Sequence, residues 1–123
     1  MPKRQLTRIL VDSDLPLRLL SVLELRPSCE HCNRALPPET AEAWICSFEC
    51  TFCGDCVENV LRNVCPNCGG GFMPRPVRPA RNLKGENYLG KYPASAKVKH
   101  RPVDPAAHAV LVASVKSIPP EKR

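Results

Sequence analysis

All eight cysteines of this 123-residue chain fall between Cys29 and Cys68. They are spaced as Cys29-x2-Cys32, Cys46-x3-Cys50-x2-Cys53-x2-Cys56 and Cys65-x2-Cys68. Two cysteines with two residues between them sit on a tight turn that aims both sulfurs at one ion. Each pair therefore supplies half of a tetrahedron. Four such half-sites in so short a stretch close two four-cysteine sites, with zinc–sulfur bonds of about 2.3 Å.

A chain of this length needs them. Trp44, Phe48, Phe52, Phe72, Tyr88 and Tyr92 are its only aromatics, and a core this thin rarely stabilises itself without disulfides or metal. A secreted disulfide scaffold requires an export signal. Asp12, Asp14 and Arg18 interrupt the opening residues, which leaves no apolar run of the roughly 7–15 residues such a signal uses. No stretch approaches the roughly 18–20 apolar residues of a membrane span. The expectation is a cytoplasmic protein whose thiols stay reduced and bind two zinc ions.

Charge is unevenly spread. Residues 22–71 carry three Lys/Arg against seven acids, whereas residues 72–123 carry eleven against three. Eight thiolates and two zinc dications would make the middle more acidic still, facing a basic tail. Three segments are expected: an N-terminal extension over 1–21, an eight-cysteine domain over 22–71 and a basic, proline-rich, mostly disordered tail over 72–123. Pro16 breaks any helix in the extension, and Val22 is an alternative start. In the metal block, Trp44-Ile45 reads as a short strand. Val57, Val60, Leu61 and Val64 recur at helical spacing, with Glu58, Asn59, Arg62 and Asn63 outward and Asp55 placed to cap the first turn. Gly69-Gly70-Gly71 closes the block. The tail interleaves Pro74, Pro76 and Pro79 with Arg75, Arg78 and Arg81, a pattern that favours extended backbone. Ala106 to Val115 is an apolar patch open to helix or strand.

The half-sites combine in one of two ways. Sequential pairing puts Cys29, Cys32, Cys46 and Cys50 on one ion and the remaining four on the other. Alternating pairing puts Cys29, Cys32, Cys53 and Cys56 on the first and Cys46, Cys50, Cys65 and Cys68 on the second. The alternating scheme interlocks the loops, so each ion braces the other.

The order of spacings resembles the RING finger, most closely in CTFCGDCVENVLRNVCPNC. Phe52 precedes the fifth ligand, a helix follows the sixth, and Cys65-Pro66-Asn67-Cys68 is the last pair; Cys50 stands where RING fingers often use His. The resemblance implies a small metal-stabilised, cross-braced two-zinc fold with a short β-hairpin and one short helix between poorly ordered tails. A closer resemblance spans residues 22 to about 97. LELRPSCEHCNRALPP, ICSFECTFCGDCVENVL, VCPNCGGGF and KYPAS are similar to a family of short bacterial eight-cysteine proteins of unknown function.

RING resemblance raises ubiquitin-ligase activity, but Glu30 and His31 fill the gap where a ligase carries a large aliphatic residue, and Gly69 replaces the usual cation. Catalytic zinc keeps an open coordination position, and eight cysteines divide into two closed sites. His31 reads as exposed on its turn, while His100 and His108 lie in the tail without acidic partners. The reading is a non-enzymatic zinc protein that acts as a protein-interaction or regulatory module, with no membrane and no small-molecule substrate. The alternative is nucleic-acid binding through Arg75, Arg78, Arg81, Lys84 and Lys91, countered by the acidic metal block and scarce stacking aromatics.

Overall fold

The computed structural model describes residues 22–123; the expected extension over 1–21 lies outside the described residues. Strands β1 (Ala43–Ile45), β2 (Thr51–Cys53) and β3 (Met73–Pro74) form an antiparallel sheet in the order β2-β1-β3. Trp44 lies opposite Phe52 on one side and Pro74 on the other. The hairpin β1–β2 is thus joined by a third strand from beyond the glycine run. Pro74 lacks an amide donor and takes the sheet edge, where strand prolines belong.

Helix α1 opens at Gly54–Cys56 and continues as a π-helical turn over Val57–Leu61. Cys53 occupies the N-cap position, so Asp55 sits inside the first turn. The helix stops sooner than its apolar spacing suggests. Arg62 and Asn63 turn left-handed, at φ 55° and 59°, and the Asn63 amide donates back to Val57 O at 3.0 Å, so left-handed residues close the helix C-terminus. The apolar face survives this: Val57, Leu61 and Val64 are buried, and Glu58, Asn59, Arg62 and Asn63 are exposed. Gly54 lies so close to the Trp44 indole that a Cβ would come within 3.1 Å of its Nε1.

The core consists largely of the cysteines themselves, with Leu36, Ala43, Phe52, Val57, Leu61 and Phe72 packed among them. Phe52 and Phe72 meet edge to face, centroids 5.5 Å apart, which adds about 1 kcal/mol beyond their burial. Six apolar side chains form a small core, so the sulfur clusters sit where a larger domain would keep aliphatic packing.

The C-terminal segment departs from the expected loose tail. Helix α2 (Pro105–Val115) forms over the apolar patch. Asp104 accepts from the Ala106 amide at 3.3 Å, and Pro105 holds the first helical position; both are helix-start devices. Upstream of α2 the chain straps across the metal block. The Arg101 amide donates to Glu30 O at 2.8 Å, and the Val103 amide donates to His31 Nδ1 at 2.9 Å. His100 Nε2 lies 3.1 Å from His31 O, and His108 Nε2 lies 2.9 Å from Leu61 O. All three histidines therefore fasten the strap, and His31 is half-buried beneath it.

Glu30 is the buried acid of this junction, 2% exposed. Its carboxylate accepts from the Thr51 amide at 2.8 Å and pairs with Arg26 at 2.7 Å. Removing one partner of a buried pair strands the other, at a cost of about 3 kcal/mol or more. Glu30→Ala is expected to lower the denaturation midpoint of the metal-loaded protein accordingly. An unchanged midpoint in urea titration would show that the pair contributes nothing.

Candidate metal centre

The sulfurs of Cys29, Cys32, Cys53 and Cys56 lie within 4.8 Å of one another, and those of Cys46, Cys50 and Cys65 form a second group of the same tightness. The first and third half-sites have converged, and the second half-site has met the fourth. Cys46 and Cys50 thus stand with Cys65 rather than with Cys29 and Cys32. No disulfide joins any of them.

Local backbone explains why each pair faces inward. The first turn is a miniature hairpin in which the Cys29 amide bonds Arg34 O and the Leu36 amide bonds Pro27 O. The last turn repeats the device, with the Cys65 amide on Gly70 O and the Gly69 amide on Cys65 O. Left-handed residues close these turns: Asn33 at φ 65°, Glu49 at φ 69° and Gly69 at φ 80°. Amides then point at sulfur. Cys32 N donates to Cys29 Sγ, Phe48 N to Cys46 Sγ, Asn67 N to Cys65 Sγ and Gly70 N to Cys68 Sγ, at 3.3–3.5 Å. Such outer contacts orient metal ligands and favour the thiolate.

The spacing suits a tetrahedral ion. Four bonds of about 2.3 Å to one centre place neighbouring sulfurs about 3.8 Å apart. Cys32 Sγ and Cys53 Sγ stand 3.8 Å apart. Cys68 is the exception, since its exposed sulfur lies outside the second group.

In each cluster one thiol is held below the ordinary cysteine value while others are raised above it. Cys50 is held down to about 5, first by the hydrogen bond from the Cys65 thiol, with burial opposing and Asn67 and Cys46 assisting. Cys65 is correspondingly pushed up, first by that same bond and then by burial. In the other cluster burial works against a Cys53 thiolate, but hydrogen bonds from Cys56, Cys32 and Cys29 outweigh it and lower Cys53. Burial, then the Cys53 sulfur, raises Cys56. Burial likewise raises Cys32 and Cys46. A metal binding either cluster as thiolate would displace the protons these sulfurs carry.

Arg75 is a buried cation of the same domain. It is 4% exposed, and its guanidinium donates to the carbonyls of Arg26, Leu36 and Pro37 at 2.9–3.3 Å. Among the described residues no carboxylate forms an ion pair with it, and its Nε has no partner. A buried cation without an acid is costly, and the carbonyl acceptors offset part of that cost here. Burial, with Arg78 adding to it, pulls Arg75 below the ordinary arginine value. Arg75→Met is expected to destabilise the metal-loaded protein by about 2–3 kcal/mol, because Arg26 O and the buried Leu36 O lose its bonds, whereas Pro37 O keeps the Thr40 amide at 3.0 Å. Thermal melts at fixed zinc would detect this, and an unaltered melting point would remove Arg75 from the account.

The residues expected to contact nucleic acid therefore divide. Arg75 and Arg78 do not face solvent as that expectation required. Arg78 donates to Tyr92 O at 2.7 Å and Leu23 O at 2.6 Å, so both side chains serve as internal clamps on backbone carbonyls. Lys91 lies 3.4 Å from Glu86, while Arg81 and Lys84 are exposed. Sequence reasoning missed the clamps and the strap. The alternation of arginine with proline was their available signal, because a proline-stiffened segment presents its arginines at fixed positions.

Fold and site together define a small sulfur-centred domain, a three-stranded sheet and two helices around two cysteine clusters able to hold metal ions. Residues 22–78 match a family described as proteins of unknown function, DUF1272. An uncharacterized protein of Rhizobium meliloti (strain 1021) is 57% identical over 74 residues, which is 60% of this chain and 81% of that relative. No solved structure matches. The chain belongs to the DUF1272 family. Among the described residues no helix is long and apolar enough to cross a membrane.

Proposed function

We propose that this is a cross-braced, RING-like domain that binds two zinc ions and works without catalysis, as a protein-interaction or regulatory module of the cytoplasm. The interleaving of the cysteine groups carries the reading. The half-sites alternate along the chain, Cys29/Cys32 joining Cys53/Cys56 and Cys46/Cys50 joining Cys65, so each ion would tie together segments that the other also tethers. An all-sulfur donor set in a reducing compartment selects zinc over hard cations and over disulfides. The thiols are spent on the ions, which leaves a rigid surface as the working part. Phe48 and Met73, each 71% exposed, supply the apolar contact that such a surface offers a protein partner.

Metal analysis of the purified protein should return two zinc ions per chain. Tagged full-length protein should capture a defined protein partner, and Cys53→Ser should abolish the capture. Nucleic-acid titration at low salt is the competing arm. Saturable binding there, with no protein captured, would replace this reading by the nucleic-acid one.

A further inference from the structure

The two clusters differ in how they are closed. The first has four sulfurs within 4.8 Å of one another, and its leading turn is covered by the strap through the bonds to Glu30 O and to His31. The second has three grouped sulfurs, from buried Cys46, Cys50 and Cys65. Its remaining cysteine, Cys68, is exposed and touched by the Gly70 amide at 3.4 Å.

Cys68 also lines an open cleft of about 630 Å³, together with Phe48, Phe72, Met73, Pro120 and Arg123. Three glycines follow it directly, and Gly69 takes φ 80° with open space where a side chain would stand. The Cys65 amide and Arg123 hold the backbone of this turn through Gly70 O and Gly69 O, but the Cys68 side chain itself stays exposed at the cleft. Cys32 is the corresponding exposed cysteine of the first cluster, but Asn33 and Arg34 follow it and its sulfur stays in the group.

We infer that the second cluster is a zinc-exchange site, at which a small thiol entering the cleft replaces Cys68 on the ion. This rests on the two-zinc reading above. The step is a ligand substitution without redox change. The incoming thiol loses its proton and bonds zinc as thiolate, the zinc–Cys68 bond breaks, and the Cys68 sulfur takes up a proton. Cys46, Cys50 and Cys65 hold the ion meanwhile, with Asn67 Nδ2 donating to Cys50 Sγ at 3.3 Å.

The test follows zinc release from the intact two-zinc protein into a colorimetric chelator, with native mass spectrometry counting the ions left. Two phases of one ion each are expected, the first faster by about tenfold or more, the scale on which ligand surroundings alter metal binding. Glutathione should accelerate the fast phase in proportion to its concentration, and S-methylglutathione should not. Cys68→Ser should change the fast phase alone, and Cys32→Ser the slow phase. Release of both ions at one rate would overturn the inference and leave the two-zinc reading intact. So would a fast phase indifferent to Cys68→Ser, or equal acceleration by the methylated thiol. A protein that never holds two ions would remove the two-zinc reading itself, and this inference with it.

Discussion

Chelation of the zinc-loaded protein is expected to abolish its tertiary structure rather than loosen it. Each structural zinc contributes roughly 10–16 kcal/mol of apparent folding free energy, against the roughly 5–15 kcal/mol of net stability typical of a whole domain. The apolar cluster consists mainly of cysteines and six modest side chains, so nothing of comparable size stands behind the metal. Dispersed amide resonances in the NMR spectrum should collapse on addition of chelator and return with zinc. The collapse should reach α2 as well, because His108 and the strap bond to carbonyls that the metal block positions. A chelated protein that keeps its dispersed spectrum would contradict the dependence on metal.

Cys53→Ser comes next in size. Cys53 ends β2, caps α1, is 2% exposed and belongs to the first cluster. Its neighbours Cys50 and Cys56 belong to different clusters, so a ligand lost here would disturb the segment that the two proposed ions share. The expected result is one ion fewer by native mass spectrometry and a loss of more than about 4 kcal/mol, beyond the usual range for one substitution. Lys84→Ala, on the exposed tail, should change neither reading. Retention of both ions and of the wild-type melt by Cys53→Ser would refute the grouping of its sulfur.

The cysteine turns were legible because their chemistry is local. Paired thiols two residues apart announce a half-site whatever surrounds them, and the strand at Trp44 and the face of Val57, Leu61 and Val64 follow simple periodicities. What was hidden depends on distance in the chain. Arg75 reads as a free cation until its three acceptors, contributed by Arg26, Leu36 and Pro37, are brought to it. Helix α2 carried a local start signal in Asp104-Pro105, yet its apolar residues give no one-sided stripe, and its anchor, His108, is polar. The separation of the Cys68 sulfur from its group was invisible as well, since its spacing from Cys65 equals that of Cys32, which stays in its group, from Cys29.

The third strand changes where the protein can be cut. The glycine run at Gly69–Gly71 looks like a natural seam between a compact head and a dispensable trailer. Yet Met73 pairs with Ile45, and the Arg75 amide holds Ala43 O at 2.9 Å. Severing the chain at that seam would strip a flank from β1 and take the Arg75 guanidinium away from the carbonyls of Arg26 and Leu36. Any portable unit accordingly needs at least the residues through Arg78, and a fusion partner belongs beyond them.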